Sequence, residues 1–143
     1  MKSTAISPVL GMMAALAIIL AISSHAVAQK KSQTPKPKLV TLDPSAAASS
    51  EILTGSPETV SMRSGYVVLA PGHSVGIHST KGNEETVIVL SGNGEMRMAG
   101  GATLKIHRYT AAYCPPHTEH NVVNTGTDTL RYVYVVAKAE GWK

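Results

Sequence analysis

Four of the six histidines fall into two clusters about forty residues apart. Imidazole is the side chain most ready to lend a lone pair to a metal or to move a proton near neutral pH. The first cluster runs from His73 to His78, passes Ser79-Thr80 and a Lys81-Gly82-Asn83 turn, and ends at the paired carboxylates Glu84 and Glu85. The second is Tyr113-Cys114-Pro115-Pro116-His117-Thr118-Glu119-His120, continuing to Asn124. If His78 lies on a strand, Thr80 projects from the same face, because strand side chains alternate. The Lys81-Gly82-Asn83 turn can then bring a carboxylate back beside His78, and alternation admits only one of Glu84 and Glu85 to the interior. In the second cluster a rigid Pro-Pro turn leads into a strand on which His120, Val122 and Asn124 share a face. Two imidazoles and a carboxylate meeting inside a barrel make an open-sided site for a divalent transition metal.

The elements that must position these residues are short strands. From Val60 onward no helical period is present, and apolar runs are punctuated by Gly, Pro and Asn at intervals of about eight to twelve residues. We read about eight strands, in SMRSGYVVLA, PGHSVGIHS, ETVIVLSG, GEMRMAGG, ATLKIHRY, AAYCPP, HNVVNTG and LRYVYVVAK, the pattern of an all-β sandwich or barrel. Ser91-Gly92-Asn93-Gly94, Gly100-Gly101 and Asn124-Thr125-Gly126 read as hairpin-like turns that need positive φ. Before the strands, Asp43-Pro44 followed by SAAASSEIL predicts one short helix, with Asp43 as N-cap and Pro44 in the first helical position.

The N-terminus carries a different message. Lys2 precedes Val9–Ile22, a fourteen-residue apolar run without a charge, and Ala26-Val27-Ala28 follows. That is the plan of a secretory signal peptide over residues 1–28, cleaved before Gln29. Fourteen helical residues reach only about 21 Å, short of the ~30 Å hydrocarbon core that a retained anchor must cross. No stable membrane span is therefore expected after cleavage, and we expect an exported protein, periplasmic or secreted, in a bacterium. Residues 29–41 carry Lys30, Lys31, Lys36 and Lys38 around Pro35 and Pro37, and read as a flexible basic leader. The domain is expected over residues 42–143.

Composition excludes several classes. The 143 residues are 43% hydrophobic and 15% charged, with mean hydropathy +0.05: too apolar for a disordered chain and too polar for a multi-span membrane protein. One Cys allows no intrachain disulfide and no Cys-rich zinc module. The net charge of +4 belongs to the N-terminal segments, because from Leu39 onward eight Lys and Arg face nine Asp and Glu. The domain has no basic face or aromatic platform for nucleic acid.

The two clusters resemble the motifs of the cupins. The first cupin motif reads here as Gly72, five residues, His78-Ser79-Thr80, four residues, Glu85, six residues and Gly92. In the second, Pro115, His120 and Asn124 fall in register, while Thr80 stands for a motif His, and Tyr109 and His117 stand for motif Gly residues. The resemblance spans Met62 to Ala137 and implies a single-domain jelly-roll barrel, a double-stranded β-helix. It also implies His78, Glu85 and His120 as ligands of a divalent transition metal (Fe, Mn, Ni or Zn), one fewer than the usual four. The spacing to Gly92 favours Glu85 over Glu84. Thr80 is a weak substitute for the missing imidazole, and His117 or His73 would have to turn inward to replace it.

Other residues have plainer readings. His107 sits on the polar phase of its strand, and Cys114 reads as a small buried apolar side chain. Tyr66, Tyr113, Tyr132 and Tyr134 read as core and rim, and nothing in the sequence places Arg63, Arg97 or Arg131 at a barrel mouth. A general base beyond the ligands would have to be His117 or Tyr113. The function expected is an exported metal-dependent enzyme of dioxygenase, isomerase or decarboxylase type on a small organic substrate. The alternatives are a non-catalytic small-molecule or metal-binding module, and a relic barrel acting through partner contacts. From the resemblance, a homodimer is expected.

Overall fold

Between the Gly, Pro and Asn breaks, the apolar runs from Arg63 to Lys138 are rich in Val, Ile, Tyr and Thr, which fit a pleated, half-buried surface, and strands are what form. The computed structural model describes residues 34–139. The signal-peptide reading of residues 1–28, and the leader's residues 29–33, lie outside the described residues. Residues 34–41 carry no regular secondary structure, and Lys38 Nζ donates to Glu58 Oε1 and to the Ile52 carbonyl.

Nine strands are described: β1 (Ser50–Thr54), β2 (Arg63–Leu69), β3 (His78–Ser79), β4 (Asn83–Ser91), β5 (Asn93–Met98), β6 (Thr103–His107), β7 (Ala111–Cys114), β8 (Glu119–Val123) and β9 (Leu130–Lys138). They form a five-stranded sheet in the order β1-β2-β9-β4-β7 and a four-stranded sheet in the order β3-β8-β5-β6. All pairings are antiparallel. Only β1–β2 and β5–β6 are neighbours both in sequence and within a sheet; every other connection changes sheet. That winding is the jelly roll the resemblance implies.

The core lies between the sheets. Val87 and Val89 of β4, Met96 of β5, Val122 of β8 and Leu130 of β9 are buried to within 1%, and burying each such side chain contributes roughly 1.5–3 kcal/mol. The inward phase of β4 is Glu85, Val87, Val89, and that of β8 is His120, Val122, with Asn124 buried just past its end. Each sheet therefore presents a polar residue at one end of an apolar row. Asn124 closes the far end of the barrel, donating from Nδ2 to the Leu69 and Asp128 carbonyls and accepting from Gly126 N–H.

Two local expectations are corrected. No helix forms after Asp43. Its carboxylate accepts from Ser45 N–H at 2.8 Å and from Ser45 Oγ, closing a tight local turn rather than capping a helix. Ser50–Thr54 then pairs along β2. A helix this short is marginal in water, and the open edge of β2 offers the same backbone a ladder. Of the three hairpin-like turns, only Gly100-Gly101 closes a hairpin, between β5 and β6, with φ of +88° and +96°. Ser91–Gly94 and Asn124–Gly126 instead carry the chain from one sheet to the other. Gly92, at φ +84°, is also a point of close approach, since a Cβ there would lie 2.7 Å from Leu130 Cα and the Thr129 carbonyl.

Candidate metal centre

β3 pairs with β8 so that His78 stands directly opposite His120. Residues paired in this way point to the same face, and the two ring centroids are 4.3 Å apart. Glu85 arrives from the facing sheet, because the turn after Thr80 crosses between sheets instead of folding back as a hairpin. Glu85 Oε2 is 3.3 Å from His120 Nε2 and 4.0 Å from His78 Nε2. The three donor atoms all lie within 4.8 Å of one another. The His120 side chain is fully enclosed and Glu85 is 6% exposed, whereas His78 is 41% exposed, so the group opens to solvent on the His78 side.

Both rings are held from behind. His78 Nδ1 lies 3.0 Å from the Gly76 carbonyl, and His120 Nδ1 lies 3.2 Å from the Thr118 carbonyl. With Nδ1 against a carbonyl in each ring, both Nε2 atoms are turned toward Glu85, where they could serve as ligands. Gly76, at φ +86°, ends the regular pairing that the sequence predicts through HSVGIHS and exposes the carbonyl that His78 uses. His120 Nε2 is buried and has no hydrogen-bond partner; its approach to Glu85 lacks hydrogen-bond geometry. The nearby Glu85 carboxylate nevertheless raises the His120 pKa, against the opposing effect of burial. A buried polar atom left unpaired costs about 1–3 kcal/mol, and a cation among these atoms would remove that cost. Two nitrogens and one carboxylate oxygen with an open side suit a divalent transition ion, so the residues present fit the group.

The other predicted site residues divide. Thr80 lines the cavity beside His78 and Glu85, but its hydroxyl donates to the Asn83 carbonyl at 2.8 Å and so closes the β3–β4 turn. Glu84 and Tyr113 are brought together outside the cavity, where the Tyr113 hydroxyl donates to Glu84 Oε2 at 3.0 Å. That bond raises the Tyr113 pKa. His117 is exposed at φ +58°, its N–H bonded to the Lys81 carbonyl, and it does not join the donor group. His73 is exposed too, with Nδ1 against the Pro71 carbonyl. Neither imidazole fills the fourth position.

The cavity's walls were not placed by sequence reasoning. The cavity in front of the donors, about 300 Å³, is walled by Arg63, Val67, Val75, Tyr132, Tyr134 and Val136. The register Arg63↔Val136, Gly65↔Tyr134, Val67↔Tyr132 sets the β2 and β9 residues side by side, and the every-second-residue spacing of Tyr132, Tyr134 and Val136 was the available signal. Burial, with a smaller push from Glu85, holds the Tyr132 phenol well above its usual range, and burial likewise raises Tyr134. Both phenols therefore remain protonated donors at neutral pH. Cys114 is fully buried, as the sequence reading expects, and its Sγ is 3.2 Å from His120 Nδ1. Burial, then Glu85, pushes the thiol up to about 11, so it packs behind the histidine as a neutral group.

Comparison with known proteins bears on the same residues. A family model described as "Cupin domain" matches residues 65–136. No protein of curated function is detectably similar in sequence. Among solved structures, a cupin 2 conserved barrel domain protein from Salinispora arenicola is 23% identical with TM-score 0.59, over 73% of this chain and 91% of its own. A cupin domain from Schizosaccharomyces pombe is 19% identical with TM-score 0.57, and this chain spans only 63% of its length, using 63% of this one. A protein from Thermotoga maritima described as a predicted oxalate decarboxylase is 19% identical with TM-score 0.52, over 69% of this chain and 99% of its own. At these identities the structural likeness is one of fold.

Proposed function

The chain belongs to the cupin domain family, and from that premise we propose that it binds a divalent transition metal through His78, Glu85 and His120 and acts with it on a small organic molecule. The observation that carries this is the buried, unpaired His120 Nε2 within 3.3 Å of Glu85 and on the same face as His78. When bound, such an ion supplies Lewis acidity, or activation of dioxygen if it is iron. The chain's own residues do the rest. The Gly76 and Thr118 carbonyls orient the two rings, Glu85 supplies the negative charge, and Val67, Val75 and Val136 line the cavity with apolar surface. Tyr132 and Tyr134 offer phenolic protons to a bound molecule. Dioxygenase, isomerase and decarboxylase chemistry all remain compatible with this arrangement, because fold likeness does not choose a reaction.

A non-catalytic binding module is the second reading. It is favoured by one observation: Tyr113 and His117, the expected general bases, both lie outside the cavity.

Elemental analysis of the untagged chain Gln29–Lys143, purified without chelators beside His120→Ala, tests the metal. We expect near-stoichiometric Fe, Mn, Ni or Zn in the wild type and none in the variant. Folded wild-type protein without metal would overturn the proposal. Export and homodimer formation are proposed with it, supported by the tripartite pattern of residues 1–28 and by the family. N-terminal sequencing of protein from an export host should begin at Gln29, and light scattering should give twice the chain mass.

A further inference from the structure

We propose that the cavity selects a small carboxylate with an apolar body, held at its anionic end by Arg63. The inference deepens the metal-binding reading of the same cavity and rests on it for the molecule's second anchor.

Arg63 opens β2 and lies on the cavity wall that also carries Glu85 and His78. Among the described residues its guanidinium makes no hydrogen bond and no ion pair. Glu51 is near enough to act electrostatically on Tyr134, yet it is not paired with Arg63. A guanidinium is always charged and presents a planar fork of donors that matches a carboxylate in two parallel bonds. Glu85 is the one carboxylate among the lining residues, and a divalent ion would more than offset its charge. The cavity as a whole then favours an anion.

Tyr134 lines the same cavity as Arg63 and Glu85. Gly65 makes room for the ring: a Cβ at that position would come within 2.5 Å of Tyr134 Cε1. The remaining walls, Val67, Val75, Val136 and the Tyr132 ring, offer nothing for a second charge and much for an apolar body. A volume of about 300 Å³ is at the small end of ligand cavities. These features together describe a compact monocarboxylate rather than a neutral sugar, a nucleotide or a polyanion.

The test uses benzoate and its neutral near-isostere benzyl alcohol as probes, titrated calorimetrically into the mature chain as purified and after chelator treatment. Wild type, Arg63→Gln and Arg63→Lys are compared, and metal content is measured on every sample. We expect benzoate to bind at least tenfold tighter than benzyl alcohol. Arg63→Gln should lose at least tenfold in benzoate affinity with metal content unchanged, and Arg63→Lys should recover part of the loss. In chelator-treated protein benzoate should bind more weakly but remain dependent on Arg63. Equal binding of the two probes, or benzoate affinity indifferent to Arg63→Gln, would overturn the inference. Wild type purified without metal would overturn the metal reading instead, and the Arg63 comparison on that same protein would still decide this one.

Discussion

Glu84 and Glu85 are chemically identical neighbours on β4, and one pleat sends them to opposite faces of the sheet. Glu85 enters the barrel to face two imidazoles at 3.3 and 4.0 Å, while Glu84 accepts a bond from Tyr113 outside. The distinction is directly testable. Glu85→Gln replaces a charged donor with a neutral amide and should abolish stoichiometric metal by elemental analysis. Glu84→Gln should leave metal content unchanged and shift stability by no more than about 0.5 kcal/mol in urea unfolding, as expected of exposed polar contacts. The identity of the inward carboxylate was legible in the six-residue spacing to Gly92, but not in the alternation of β4 itself. Val87, Ile88, Val89 and Leu90 are all apolar, although Ile88 and Leu90 are 41% and 36% exposed, so hydrophobicity carried no phase.

At the scale of elements, the two histidine clusters depend on backbone conformations as much as on side chains. Tyr109 and His117, which stand where the cupin motif has glycine, both adopt left-handed φ, +65° and +58°. The resemblance thus located two conformationally special positions even where this chain departs from the motif's glycine. Left-handed backbone costs a non-glycine residue roughly 1–2 kcal/mol, partly offset in a glycine variant by about 0.4–1 kcal/mol of added freedom in the unfolded chain. His117→Gly should therefore unfold in urea about 0.5–1 kcal/mol more stably than wild type while keeping its metal. Gly92→Ala should lose more than about 2 kcal/mol, since it combines φ +84° with backbone atoms 2.7 Å from the new Cβ. The short helix after Asp43 was a local inference, and it failed because the competitor, the free edge of β2, is not visible locally.

For the whole molecule, the donor group is a joint between sheets. His78 and His120 belong to the four-stranded sheet and Glu85 to the five-stranded one, so an ion held by all three ties the two layers together. Binding that requires the folded pairing stabilises the fold by mass action, about 2.7 kcal/mol at a metal concentration a hundred times its dissociation constant. In a domain of this size that corresponds to a rise in melting temperature on the order of ten degrees or more. Scanning calorimetry of chelator-treated protein, with and without the metal found by elemental analysis, should show this rise in wild type. It should be absent in His120→Ala, and its absence in wild type would mean that the ion does not bridge the sheets.

The sequence by itself determined which residues have the chemistry and which local structure they prefer. Eight of the nine described strands and the shared face of His120, Val122 and Asn124 follow from residue spacing along the chain, a local property, and the family of the barrel from the resemblance of its two motifs. Only the tertiary structure decided what meets across space. The register of β2 against β9 brought Arg63, Tyr132 and Tyr134 to the cavity. The crossing between sheets set Glu85 against both histidines, and the Lys81 carbonyl took the His117 backbone and left its ring outside. Those placements depend on pairings between segments far apart in the chain, Arg63 with Val136 among them, where the packing of each segment is set by partners that no local pattern records.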